Sequence, residues 1–374
     1  MSGIAEPISP GQFLWVAGIS VVAGGIYLWP QYVISLMGSN GVYALMTTTL
    51  LAVGLAMAEV AVALNVQRPT YLTTLKTILP VIGPYVLFPL TAILCLAIDA
   101  IVLVLYGLMM QSYFYPFTPR LVIDLVILLV AAWVAVRTLS AVARSVQFWF
   151  PIILVLFVFV TVLTVPHIAY LAALKPATHF YVVPWVHSVF ATWFLYADGS
   201  GIITLTPHVA WKRPRDAYLT AALAILGQGA VLLVLYIVSV GTLGPDALSH
   251  LYWPLAYIYS LVSLRSFFFQ GVGAFVIIVW TSAITLYLAV HIFCFGWNLS
   301  SAVGNSLRAS QVRVMAVGGT VAALTLATFL LPSIVVARAV LFHWVTPVSL
   351  MWSLMLQPGL WWRSRRWRQG RSAP

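Results

Sequence analysis

Ten runs of roughly 20 apolar residues, nearly free of charge, leave this chain few ways to fold. Lipid offers backbone N–H and C=O groups no partner, so each run must be a helix that satisfies its own backbone. The runs span about 12–36, 42–64, 84–111, 118–136, 146–165, 184–209, 216–243, 267–297, 312–331 and 335–358. The eighth is long and is expected to tilt or bend near Gly271–Gly273. Of 374 residues, 63% are apolar and 7% charged, which no soluble domain of this size shows. The expectation is one all-α polytopic membrane domain covering 1–374, with about ten transmembrane helices.

The basic residues test that span count. Fourteen of the 18 fall on one side: Arg68, Lys76, Arg137, Arg144, Lys212, Arg213, Arg215, Arg308, Arg313 and the tail arginines 363, 365, 366, 368 and 371. Only Arg120, Lys175, Arg265 and Arg338 fall on the other. The positive-inside rule then puts both termini, 1–11 and the basic tail 359–374, in the cytoplasm. The net charge of +11 is accounted for by topology, so no nucleic-acid partner is expected. The N-terminus has no basic region or small-residue cleavage site, and no removable signal peptide is expected. Trp361, Trp362 and Trp367 among the tail arginines suggest contact with anionic membrane lipid. The outer loop 244–266 carries apolar residues at helical spacing and is expected to lie at the interface or over the entrance.

Two apolar runs are interrupted. Gly24-Gly25 with Pro30 breaks the first, and Asp198-Gly199-Ser200-Gly201 breaks the sixth. Irregular backbone at membrane depth is tolerated where it lines a cavity, and paired interruptions point to a transporter-type site. Glycine lets a ligand approach the backbone. Free N–H groups at a half-helix start attract a carboxylate, and free carbonyls attract an ammonium or a cation. A small zwitterion such as an amino acid presents both. Close packing of helices is the plainer reading of Gly24-Gly25, as it is of Gly318-Gly319.

Four acidic residues lie in or near spans: Glu59, Asp99, Asp124 and Asp198. Intramembrane carboxylates are functional candidates by default. Glu59, near the inner end of its span, could meet the loop around Arg68, and Asp124 could reach water at an outer end, with structural or snorkelling roles the plainer reading of both. Asp99 at mid-span and Asp198 in the second break are the sharper candidates for contacting an amine, carrying a proton or helping to hold a cation. Asp198 can also cap the second half-helix through the N–H of Ser200 or Gly201. Phe194 and Tyr196 could form an aromatic wall, and Thr281 and Ser282 offer hydroxyls, though such hydroxyls more often bond back to their own helix. No His, Cys or carboxylate spacing matches a metal motif, and there is no Walker motif or nucleophile elbow. No metal, no cofactor and no enzymatic activity are expected. Cys95 and Cys294 read as buried small hydrophobes.

The stretch ISPGQFLWVAGISVVAGGIYLWP resembles the opening of the spore germination permease family, the B subunits of endospore germinant receptors. The matching positions are Ile8, Ser9, Gln12, Gly24-Gly25 and Pro30. TPRLVID at 118–124, Arg137 to Arg144 with Pro151, and FLYADGSGIITLTPHVAWKRPRDA at 194–217 follow in the family's order. So do GPDALSHLYWPLAYIYSL at 244–261 and VIIVWTSAITLYL at 276–288. Where the family usually has Ser-Gly-aromatic-Glu, this chain has Ala197-Asp198-Gly199.

The resemblance implies membership of the amino acid/polyamine/organocation superfamily and a LeuT-like 5+5 inverted repeat with broken helices 1 and 6. The first repeat would cover 12–165, the second 184–331, and 335–358 would be the last span. It implies a nutrient receptor at the spore inner membrane, partnered by an A subunit and a lipoprotein C subunit, with a small amino-acid-like ligand bound at the two breaks. The alternatives are a sodium- or proton-coupled amino acid transporter and an assembly subunit with a vestigial pocket. The candidate ligand residues are Gly24, Gly25, Asp99, Phe194, Tyr196, Asp198, Gly199, Ser200, Gly201, Thr281 and Ser282.

Overall fold

A computed structural model describes residues 7–22, 29–175, 177–198, 200–261, 273–303 and 307–371. Among the described residues the regular structure is all helical, apart from one isolated bridge between Ile8 and Val209. Helix α1 (Pro10–Val22) opens with a reciprocal cap. The Ser9 N–H donates to Gln12 Oε1 at 2.9 Å, and the Gln12 N–H donates to Ser9 Oγ at 3.1 Å. Pro10 sits at the first helical position, where a missing N–H is harmless. The Ser-x-x-Gln pattern therefore has a local physical job.

Helix α2 (Trp29–Met37) turns through Gly38–Asn40 into α3 (Gly41–Val66). A short helix α4 (Tyr71–Ile78) is boxed at its start by Thr70 and Thr73. Then come α5 (Phe88–Tyr113), α6 (Arg120–Ala135) and α7 (Leu139–Thr164). The sixth apolar run is α8 (Val182–Thr192), a tight turn at Trp193–Tyr196, and the five-residue α9 (Gly201–Leu205). Helix α10 (Pro214–His250) kinks at Gly244, whose φ of 71° is left-handed and precedes Pro245. Helices α11 (Pro254–Leu261), α12 (Gly273–Ser301), α13 (Leu307–Leu330), α14 (Ile334–Val340) and α15 (Thr346–Arg371) complete the chain.

Seven helices among the described residues are long and apolar enough to cross a membrane, as expected of an integral membrane protein. The other three expected spans differ for separate reasons. Run 12–36 is divided between α1 and α2 by residues outside the description, as is the expected bend at Gly271. Run 118–136 is a 16-residue helix, and run 184–209 is divided at Trp193–Tyr196.

Burial orders the helices. The apolar stretch of α12 is 67% buried, against 28% for α7 and 22% for α13. Helix α12 lies against α1, α6, α7 and α13, while α3 lies against α8, α10 and α15. The broken segments and α12 therefore occupy the centre.

Three sequence readings are decided here. Asp124 does not reach water: it is fully buried and ion-paired to Arg120 at 3.5 Å, while Arg120 also donates to the carbonyls of Thr328 and Leu331. Gly107 permits this approach, because a Cβ there would stand 2.1 Å from Asp124 Oδ1. Gly107→Ala should destabilise the protein by about 1–3 kcal/mol, read as a lowered unfolding midpoint in detergent, because α5 and α6 must separate. Gly318 and Gly319 have nothing within 4 Å of a built Cβ, so they do not serve close packing. Of the two readings of the 244–261 stretch, burial of Trp253, Leu255, Ile258 and Tyr259 within the protein removes a helix lying flat at the interface and leaves the one over the entrance.

The C-terminal stretch also departs from expectation. Helix α15 continues past residue 358 to Arg371. Arg365 and Arg366 stack over Trp361 and Trp362 one turn earlier. Arg363 donates to the Ile78 carbonyl at 3.0 Å and Arg368 to Asn65 Oδ1 at 3.2 Å, so part of the tail is held against the ends of α3 and α4.

Candidate functional site

Asp198 organises the second break. Its Oδ1 accepts the Ser200 N–H at 3.2 Å and its Oδ2 accepts the Ile202 N–H at 2.8 Å. These are orphan donors at the start of α9, and a carboxylate there complements the helix end. Ser200 adopts a left-handed φ of 65°, which turns the backbone into α9. Asp198 is thus a cap, and it is half-buried because it faces a cavity of about 60 Å³.

Glu59 lies on the other side of that cavity, close enough to interact directly with Asp198. It does not meet Arg68 as the sequence suggested. Helix α3 runs on for two turns to Val66, which keeps Glu59 inside, and Arg68 donates to Thr77 instead. Helix α15 supplies the partner: Gln357 Nε2 donates to Glu59 Oε1 at 2.7 Å. Glu59 Oε2 and Gln357 Oε1 are buried without a hydrogen-bond partner. Tyr196 lines the same cavity and is fixed by Thr49, 2.6 Å away. Trp193 and Trp352 close it, with their indole N–H groups donating to Ser349 at 3.3 Å and Thr91 at 3.0 Å.

A second cavity of about 20 Å³ shares Thr91, Cys95 and Ser200 with the first. Asp99 of α5 and His291 of α12 line it, with Asp99 Oδ1 2.8 Å from His291 Nδ1. The other ring nitrogen, Nε2, is 3.0 Å from the Ser20 carbonyl. A carbonyl only accepts, so Nε2 carries a hydrogen. Nδ1 then either donates to ionised Asp99 or accepts from protonated Asp99. Asp198 lies near enough to His291 to feel its charge. Asn298, two turns along α12, donates to Thr204 of α9 at 3.2 Å and accepts the Leu72 N–H of α4 at 2.8 Å. It ties the half-helix to α12 and α4.

Of the sequence candidates, Asp198, Ser200, Tyr196 and Asp99 line these two cavities, and Gly201 begins α9. Gly24, Gly25 and Gly199 lie outside the described residues. Phe194 lines neither cavity and packs edge-on against Phe342 at 5.9 Å. Thr281 is tied to Tyr106 at 2.6 Å, and neither it nor Ser282 lines a cavity. Cys95 is half-buried against both cavities and so is not a simple core hydrophobe. No group of three His, Cys, Asp or Glu that could hold a metal occurs among the described residues.

Sequence reasoning passed over His291, Gln357 and Asn298. His291 carried a usable signal, since an imidazole inside an apolar run is as anomalous as a carboxylate there. Gln357 and Asn298 carried none, because an amide near a helix end is ordinary.

Residues 8–338 match the spore germination protein family of permeases. The chain belongs to that family. No curated protein sequence matches it directly. The permease shares its fold with the crystal structure of MhsT in complex with L-phenylalanine: TM-score 0.65, 14% identity, 94% of this chain and 90% of that one. It is similar to the same degree to Mhp1, a nucleobase-cation-symport-1 family transporter in a closed conformation with bromovinylhydantoin bound. The TM-score is again 0.65, with 13% identity over 99% of this chain and 95% of that one. The matched family and both similar structures are permeases or transporters and not enzymes.

Proposed function

We propose that this permease is the B subunit of a nutrient germinant receptor. In this reading ten spans form two inverted five-helix repeats, 12–165 and 184–331, followed by a last span and a cytoplasmic tail. The protein sits in the spore inner membrane with both termini cytoplasmic and assembles with an A subunit and a lipoprotein C subunit. A small amino-acid-like solute binds where the broken runs meet and biases one gate state over another. The shift cannot exceed the difference in its affinity for the two states.

The observation that carries the reading is the polar cavity set against the second break, between Glu59 and Asp198, in a member of this family. A cavity of about 60 Å³ holds a few waters or one polar head group, so a whole amino acid enters only after the gate opens. A second reading, ion-coupled uptake, is favoured by the buried, hydrogen-bonded Asp99–His291 pair on the adjoining cavity.

Reconstitution into proteoliposomes separates the two. Saturable binding of labelled amino acids without accumulation supports the receptor. Uptake that follows a sodium or proton gradient supports the transporter. Co-purification with A and C subunits tests the assembly.

A further inference from the structure

The hydrogen-bonding groups around the larger cavity are unevenly matched. Its strongest donors, the backbone N–H groups of the break and the indoles, are committed inside the protein, while the serine hydroxyls on its wall can either donate or accept. Asp198 takes the N–H groups of Ser200 and Ile202, and Glu59 takes the Gln357 amide. The two indole N–H groups go to Ser349 and Thr91. The acceptors are in surplus. Glu59 Oε2 and Gln357 Oε1 have no partner, on side chains that are each 8% exposed, and both residues line the cavity. Buried acceptors left unpaired are unfavourable, and two carboxyl groups facing each other add to that. No Lys, Arg or His lines the cavity among the described residues. His291, the nearest basic side chain, is committed to Asp99 and Ser20 through its two nitrogens.

These observations describe a site that accepts hydrogen bonds and positive charge. We infer that the ligand group recognised between Glu59, Asp198 and Gln357 is a protonated amine, and that a carboxylate on the same molecule is not read there. The half-helix N–H groups that would serve a carboxylate are already filled by the protein's own Asp198. The walls favour an organic cation over a bare metal ion. Trp193, Tyr196 and Trp352 supply aromatic side chains to the wall, and Ala52, Leu55 and Leu356 offer apolar contact for a short carbon chain. This inference rests on the proposal that the cavity is a ligand site, and it names the ligand chemistry.

The test uses the full chain in lipid nanodiscs, with intrinsic tryptophan fluorescence and the thermal unfolding midpoint as readouts. Trp193 and Trp352 report from the cavity wall. Ethylammonium, propionate, L-alanine and sodium chloride against potassium chloride are titrated separately. The expected result is saturable binding of ethylammonium and none of propionate. Glu59→Gln should weaken ethylammonium about tenfold or more, because it removes a charge-assisted bond but leaves an oxygen for Gln357. If Glu59→Gln does not fold, Gln357→Met carries the test, with a several-fold loss expected.

Propionate or L-alanine binding without ethylammonium would overturn the amine assignment and leave the ligand site standing. Sodium saturating the signal while ethylammonium does nothing would overturn it in favour of a metal ion. Ethylammonium affinity unchanged in Glu59→Gln would also overturn it. If none of the four probes binds a cooperatively folded protein, the ligand-site reading falls and takes this inference with it.

Discussion

His291→Ala should lower the unfolding stability by about 3–5 kcal/mol, because it leaves the Asp99 carboxyl buried without its partner. Asp99 is 2% exposed and His291 4% exposed, so bulk water does not reach the pair. Asp99→Ala should cost a similar amount for the same reason. The double replacement Asp99→Leu with His291→Leu should cost less than either single change, since apolar side chains of similar volume need no partner. A detergent unfolding series of the four proteins checks this. Additive losses would mean that the two residues are not energetically a pair. The same series separates structure from coupling. If the double variant folds and still binds solute but shows no proton-dependent response, the pair belongs to function. If the response survives, the pair is structural.

Asp198→Ala should abolish solute binding and destabilise α9, because one side chain does both jobs. It removes acceptors from two N–H groups at the helix start, and loss of a cap costs about 0.5–2 kcal/mol. It also removes one of the two carboxyl groups that line the cavity. Asp198→Asn divides these effects. Its single amide oxygen can still accept from Ile202, so most of the folding loss should be recovered. Its missing charge should leave amine binding weakened by about tenfold or more. Stability and binding measured on both variants give the comparison. Wild-type binding in Asp198→Asn would show that shape, not charge, is what this residue contributes.

The two alanine variants probe different depths of legibility. The anomaly of Asp198 was readable from sequence, since a charged residue among glycines inside an apolar run has few explanations. Its capping role was readable as well, with Ser200 as a partner, though the second N–H comes from Ile202 and not from Gly201. Asp99 was readable as a candidate, but its partner was not. His291 is 192 residues away, and no local pattern links the two. Glu59 was misjudged because distance along a helix was taken for distance from water. Asp124 failed in the same way: its depth was set by α5 and Gly107 lying over it. Phe194, Thr281 and Ser282 lay on the right helices but turned to other neighbours, which helical spacing alone does not decide.

The sequence by itself determined what must be satisfied locally. Long uncharged runs had to become helices, since lipid offers a backbone no partners. Ser9 with Gln12, Thr70 with Thr73, and Asp198 with Ser200 and Ile202 fixed where helices begin, because their partners lie within four residues. Only the tertiary structure decided which polar groups meet. Glu59 finds Gln357 across 298 residues, and Asn298 joins α4, α9 and α12. Such pairs depend on how whole helices rotate and shift against one another. That rotation is set by the sum of many small packing contacts, each too weak to leave a mark at any one position in the sequence.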